Sequence, residues 1–392
     1  MNYNFDERID RRNTGSMKWD VAEDELPMWV ADMDFQTAPE ITGMICERAA
    51  QGIFGYTIVT DEWYRAYQDW WKNRHQFEIS KEWLVFCTGV VPAISSIVRK
   101  MTSVGENILV MTPVYQIFFN SIQNNGRNVL ESPLVYDGCG YQIDFTDLEE
   151  KLSNPQTSML ILCNPHNPVG KIWDRETLRK IGDLCSKYHV LVLSDEIHCD
   201  ITKPGQNYTP FASVSENCRQ NSITCAAPTK AFNLAGIQTA AVIVPNDNLR
   251  HKVSRGLNTD EAAEPNVFAA IAPSAAFQLG GEWLDELRDY LWDNRKYAEE
   301  YIRKEIKDLY AVPAKATYLL WIDCKNIIGN STSLCRFIRS HSGLYLSDGS
   351  EYRNGDGFLR MNIACPREML KDSLNRLRES VKAYEEWMCG QC

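Results

Sequence analysis

Short apolar runs that stop at polar residues recur through the middle of the chain. Met159-Leu160-Ile161-Leu162-Cys163 stops at Asn164, and Val190-Leu191-Val192-Leu193 stops at Ser194-Asp195. Runs this short and this continuous predict strands buried on both faces, hence a mostly parallel sheet between helices. Between the two, Leu178, Ile181, Leu184 and Cys185 recur at helical spacing behind Asp174. Strand, helix, strand is the βαβ unit of an α/β fold. Residues 108–111, 222–225 and 239–244 predict further strands. A charged amphipathic stretch over 282–309 predicts a long linking helix. Beyond it, a strand at 318–322 and a closing helix over 367–387 predict a smaller α+β domain. The first residues are too few to fold alone. The expected organisation is an N-terminal segment, 1–45, packing with the small domain, a large domain over 46–282 and a small one over 283–392.

Composition narrows the function classes. The 392 residues suffice for two to three domains, and 44% hydrophobic with 24% charged residues is the balance of a globular protein. No apolar run reaches the roughly 18 residues of a membrane helix. Met1-Asn2-Tyr3-Asn4-Phe5-Asp6-Glu7-Arg8 shows neither the basic start nor the apolar stretch of an export signal. The net charge of −11 repels phosphate backbones and anionic lipid, which argues against a nucleic-acid or membrane-surface binder. Thirteen cysteines, an odd number set mostly in apolar runs, read as reduced core residues of a cytoplasmic protein. The terminal Cys389-Gly390-Gln391-Cys392 spells C-x-x-C but has no second pair, and reads as a frayed end.

Chemistry collects where strands end. Asp195 closes one, the place where open parallel sheets bind ligands; it is suited to hold a cationic ring nitrogen or, more simply, to cap a helix. Lys230, among Ala226-Ala227-Pro228-Thr229 and Ala231-Phe232, is either a desolvated nucleophilic amine or a solvated loop lysine. Thr229 offers a hydroxyl to a phosphate. Asn164-Pro165-His166-Asn167-Pro168-Val169-Gly170 is a turn whose Asn167 either donates to a phenolate or bonds its own backbone. Gly89-Val90-Val91 opens an apolar helix after a strand, an arrangement that offers free N–H groups to an anion. Tyr115 is a ring stacker or a core aromatic. Arg360 stands alone in an apolar run and wants a carboxylate. His166 and His198 fit no metal-site spacing, so no metal is expected. In order, these are a phosphate cradle, a stacker, a phenolate donor, a pyridinium partner, a Schiff-base amine and a carboxylate clamp, the set that pyridoxal phosphate requires for amino-acid chemistry.

The chain resembles the fold-type I pyridoxal-phosphate enzymes of the aminotransferase class I/II superfamily, and within them the MalY/PatB-like cystathionine β-lyase branch. Asn164-Pro165-His166-Asn167-Pro168-Val169-Gly170, Ser194-Asp195-Glu196-Ile197-His198 and Pro228-Thr229-Lys230 carry the superfamily. Lys18-Trp19-Asp20, Pro27-Met28-Trp29-Val30-Ala31-Asp32-Met33-Asp34-Phe35, Gly55-Tyr56-Thr57, Phe232-Asn233-Leu234-Ala235-Gly236 and Arg360-Met361-Asn362-Ile363-Ala364-Cys365-Pro366-Arg367 carry the branch. The resemblance implies catalytic roles for Lys230, Tyr115 and Asp195. It implies cofactor contacts by Val90, Val91, Tyr115, Asn167, Asp195, Ile197, His198, Thr229 and Lys230, with Tyr56 reaching the cofactor phosphate of a partner subunit in a homodimer with shared sites. Ala31 and Arg360 take the substrate carboxylate. Gln116-Ile117 departs from the family's pattern after Tyr115, and Glu351-Tyr352-Arg353 departs from it near the mouth of the site. The implied reaction is α,β-elimination from L-cystathionine or related cysteine S-conjugates to a thiol, pyruvate and ammonia. An aminotransferase on the same fold is the alternative enzyme, and a protein-binding transcriptional modulator the alternative of another class.

Overall fold

The computed structural model describes residues 3–327 and 329–390. Met1, Asn2 and the last two residues of the terminal C-x-x-C, Gln391 and Cys392, lie outside them. Among the described residues the largest sheet has seven strands: β1 (Leu84–Cys87), β2 (Asn107–Val110), β3 (Asn128–Glu131), β4 (Thr157–Cys163), β5 (Leu191–Asp195), β6 (Ser222–Ala226) and β7 (Ala240–Ile243), in the order β1-β7-β6-β5-β4-β2-β3. Strands β3, β2, β4, β5 and β6 run parallel, and β7 is antiparallel to both neighbours. The continuous apolar runs are explained by two-sided burial. Met159, Ile161, Leu191, Leu193 and Ile223 enter the core on one face, while Leu160, Leu162 and Val192 enter the core on the other. Helix Arg175–Lys187, capped by Asp174 through the Thr177 N–H at 2.8 Å, buries Leu178, Ile181, Leu184 and Cys185 on the second of these faces.

A second sheet, Tyr310–Ala311, Leu319–Asp323, Phe358–Asn362 and Ser347–Asp348, is antiparallel throughout and packs with helices Ser331–Ser342 and Arg367–Cys389. The expected cuts between domains fall inside elements. Helix Gly281–Glu305 buries Trp283, Leu287 and Leu291 in the large-domain core, then Ala298 and Ile302 in the small-domain core, so one helix serves both. Helix Pro39–Ala50 likewise runs through position 45. The N-terminal segment also touches both bodies. Leu26–Pro27 pairs in parallel with Leu344–Tyr345 of the small domain, while Phe5, Phe35 and Ile41 join the large-domain core. No helix among the described residues is long and apolar enough to cross a membrane.

Candidate active site

A cavity of about 480 Å³ opens at the carboxyl ends of β1, β4, β5 and β6. It falls in the size range of small-molecule sites. Asp195 is the last residue of β5 and is buried. No helix follows, so its carboxylate is not a helix cap; it accepts from the Ile197 N–H at 3.1 Å in a local turn. Burial pushes its pKa up to about 6, against the opposing pull of that N–H and of Lys230. The neighbouring Glu196 side chain goes elsewhere, accepting from Ser194, Tyr208 and the Phe211 N–H in the interior.

Lys230 follows β6 on a turn and lines the same cavity. Its Nζ donates to the Ala31 carbonyl at 2.7 Å. Desolvation lowers its pKa to about 8, with Asp32 pulling upward and Arg360 downward. Lys230 is half-buried against the cavity wall rather than a freely solvated loop lysine.

Asn167 sits in the turn after β4, where Gly170 adopts φ +65° and a Cβ would lie 2.5 Å from the Ala314 Cβ. Only glycine fits there, and the turn keeps its shape. The Asn167 Oδ1 accepts from Arg360 Nη1 at 3.4 Å, which leaves its amide N–H groups to donate. Arg360, in the small-domain sheet, is 4% exposed. Its Nη2 donates to the Trp29 carbonyl at 2.7 Å and the Ser347 hydroxyl at 3.4 Å, and its Nε has no partner. All of these acceptors are neutral, so the buried guanidinium faces the cavity without a carboxylate of its own.

Helix Val90–Met101 starts at the cavity from Gly89, with no side-chain cap and no acidic residue in its first turn. Its free N–H groups and dipole form an anion seat beside Thr229. Tyr115 lines the wall with its pKa pushed up to about 12 by burial, while His198, lowered to about 3, is held neutral. Ile197 and Ala31 complete the set. Tyr56 alone is elsewhere: fully exposed, in a loop with Ile53, Phe54 and Ile58 also exposed. His198 and His166 join no ligand cluster. Among the described residues one such group exists, His75, Cys199 and Asp200, away from the cavity, where Asp200 already accepts from Trp70 and pairs with His75.

Of the cavity's roof, the resemblance implied Ala31 alone. The segment 29–32 crosses over the site and lends its carbonyls to Arg360, Asn362, Tyr318 and Lys230. Met17, Gln116 and Ile117 line the mouth. Lone residues of these types carry no signal of a site.

The family model for aminotransferase class I and II matches residues 32–377. Cystathionine beta-lyase PatB of Bacillus subtilis (strain 168) is 40% identical, the match covering 96% of this chain and 100% of that protein. Among solved structures, cystalysin from Treponema denticola, which contains a pyridoxal 5'-phosphate cofactor, superposes with TM-score 0.95 at 31% identity, covering 98% of this chain and 100% of that one. The pyridoxal-phosphate-bound C–S lyase from Staphylococcus hominis superposes with TM-score 0.92 at 33% identity, covering 97% and 98%.

Proposed function

Because the chain belongs to the aminotransferase class I and II family, we propose that the cavity is the active site of a pyridoxal-phosphate-dependent carbon–sulfur β-lyase. Its substrates are L-cystathionine or related cysteine S-conjugates, and its products a thiol, pyruvate and ammonia. The observation that carries the reading is the convergence of Lys230, Asp195 and an unpaired, buried Arg360 on one cavity, in a chain whose relatives bear the names cystathionine beta-lyase and C–S lyase.

The residues present fit the cofactor. The uncapped helix start at Val90 and Val91, with Thr229, suits a phosphate. Asp195 suits a protonated ring nitrogen, Asn167 the ring hydroxyl, and Tyr115 the ring face; Ile197 and His198 close the wall beside Asp195. Pyridoxal phosphate, when bound, supplies an electron sink for bonds breaking at the substrate's Cα and Cβ. Lys230 would hold the cofactor and, once freed by the substrate's amine, its Nζ would take the proton from Cα, a task suited to an amine whose pKa burial has brought down to about 8. Arg360 fixes the α-carboxylate as a two-pronged donor, with the Ala31 segment as the opposing wall. The β-thiolate departs, and the three-carbon remainder hydrolyses to pyruvate and ammonia.

The protein works as a homodimer. The support is the exposed apolar loop at 53–58, which a monomer has no reason to present, and in the dimer Tyr56 reaches the partner's phosphate seat. Unpaired cysteines, nine of them buried, suit the reducing cytoplasm. The deciding experiment is L-cystathionine with holoenzyme and no keto acid. Pyruvate and homocysteine accumulate over many turnovers; a single turnover relieved only by a keto acid overturns the reading in favour of an aminotransferase.

A further inference from the structure

We infer that the site is built for a leaving thiol with an apolar substituent, held at the cavity mouth by Met17, Trp29 and Ile117. The inference rests on the lyase reading and narrows its substrate class. Charge among the described lining residues is confined to Asp195, Lys230 and Arg360, with His198 held neutral. All three serve the amino-acid end of the substrate. None remains for the far end of the sulfur substituent: Glu351 and Arg353, expected near the mouth, are not among the lining residues, and Arg353 pairs with Glu131.

The wall that meets that far end is apolar. Met17 lines the cavity and is 72% exposed, which places it at the solvent edge. Its unbranched thioether adapts to substituents of different shape. Ile117 lines the cavity from the start of helix Ile117–Gln123, and the polar groups nearest the solvent edge, Gln116 and Gln238, are neutral amides. Trp29 is the rigid part. Its ring stacks on Tyr345 at 4.8 Å and 14°, Tyr345 carries the Arg339 guanidinium 3.6 Å from its ring centre, and Arg339 is tied to Glu25 at 2.5 Å.

L-cystathionine brings a second ammonium and a second carboxylate to this wall. Both must shed water with only neutral polar groups, and no counter-charge, to receive them, which is unfavourable. S-butyl-L-cysteine has the same chain length beyond sulfur without either charge, and gains from burial instead.

The test compares pyruvate release by the holoenzyme from S-butyl-L-cysteine, L-cystathionine and S-methyl-L-cysteine. The expected kcat/KM for the S-butyl substrate exceeds that for L-cystathionine about tenfold or more. In Met17→Ser and in Ile117→Asn, the ratio of S-butyl to S-methyl kcat/KM falls about tenfold. Using a ratio within one preparation removes any general loss of folded enzyme. A higher kcat/KM for L-cystathionine than for S-butyl-L-cysteine, or a ratio unchanged in both variants, overturns the inference. Absence of pyruvate from all three substrates is a different result: it overturns the lyase reading and the inference with it.

Discussion

Replacing Arg360 tests the substrate clamp most directly, and the structure sets the scale. The guanidinium is 4% exposed, and its partners are the Trp29 carbonyl, the Ser347 hydroxyl and the Asn167 amide oxygen. Neutral acceptors compensate a buried cation only in part, so an incoming carboxylate meets a charge still short of a counter-ion. Truncating one partner of a buried, hydrogen-bonded charge pair costs about 2–5 kcal/mol. At about 1.4 kcal/mol per decade this is roughly thirty- to several-thousand-fold. Arg360→Ala therefore lowers kcat/KM about a hundredfold or more, chiefly through KM, because the carboxylate is held alike before and during bond breaking. Arg360→Lys keeps the charge and loses the fork, and falls about tenfold. The assay is pyruvate release coupled to lactate dehydrogenase, with cofactor absorbance read on the same samples. A wild-type KM in Arg360→Ala, with cofactor retained, refutes the clamp. A second substrate sharpens the result: an S-substituted cysteamine lacks the carboxylate, and its binding is insensitive to the substitution.

Three further outcomes follow from the same geometry. Borohydride treatment of the holoenzyme fixes the cofactor on Lys230, and peptide mapping to any other lysine overturns the assignment. Asp195 has a folded pKa of about 6 against an ordinary 3.8, so its contribution to the cofactor-free protein's stability is lost as pH rises from about 4 to about 6. Cofactor-free Asp195→Asn is therefore the more stable protein at pH 8, by about 3 kcal/mol in urea melts, and equal to wild type at pH 4; equal melts at both pH values refute the burial argument. An equal mixture of Lys230→Ala and Tyr56→Ala chains, unfolded and refolded together, regains about a quarter of wild-type activity, since half the dimers are mixed and each has one intact site. No gain despite demonstrated chain exchange means that Tyr56 serves its own subunit.

What was legible in the sequence shares a physical origin. Strands buried on both faces write continuous apolar runs, and their ends are marked by the first polar residue, so Asn164 and Asp195 stood out. Turn chemistry fixed Asn167 for the same local reason, through a glycine with no room for a side chain. Arg360 was visible as a charge in an apolar strand. Apart from Ala31, which the resemblance implied, the roof was not visible residue by residue, because its contacts are carbonyls and its partners are remote: Ala31 and Lys230 are 199 residues apart, Trp29 and Arg360 331. A carbonyl acceptor is the same for every side chain above it, so no residue type records it. The expected domain cuts fall inside helices for a related reason. Helix Gly281–Glu305 keeps one amphipathic period while it changes cores, and periodicity alone cannot register which core a face meets.

The roof also joins two functions that the fold keeps on separate bodies. Lys230 belongs to the large domain and Arg360 to the small one, yet both donate to the segment 29–32, Lys230 to Ala31 and Arg360 to Trp29. Asn362, two residues beyond Arg360 on the same strand face, grips the Val30 and Asp32 carbonyls. Asn233, three residues after Lys230, holds Met33 through its N–H at 3.0 Å and its carbonyl at 3.0 Å, and takes the Phe35 carbonyl at 2.9 Å. The stretch 29–35 is thus gripped from each body by a cationic side chain of the cavity and by an asparagine close to it in sequence. Its own anchor is ionic. Asp34 accepts from Lys18 at 2.6 Å, from Arg11 at 2.7 Å and from the Trp19 indole at 2.8 Å, with Asp32 on Arg11 at 2.8 Å. Lys18 and Asp34 are almost wholly buried, where loss of one partner strands the other's charge. A buried ion cluster is a poor source of net stability but a demanding one for geometry, since the charges tolerate few arrangements. Here the geometry it demands is the placement of the Lys230 amine relative to the Arg360 guanidinium. On the proposed reading the substrate's Cα lies between the two, and loosening the Lys18–Asp34 pair misplaces proton acceptor and carboxylate clamp together.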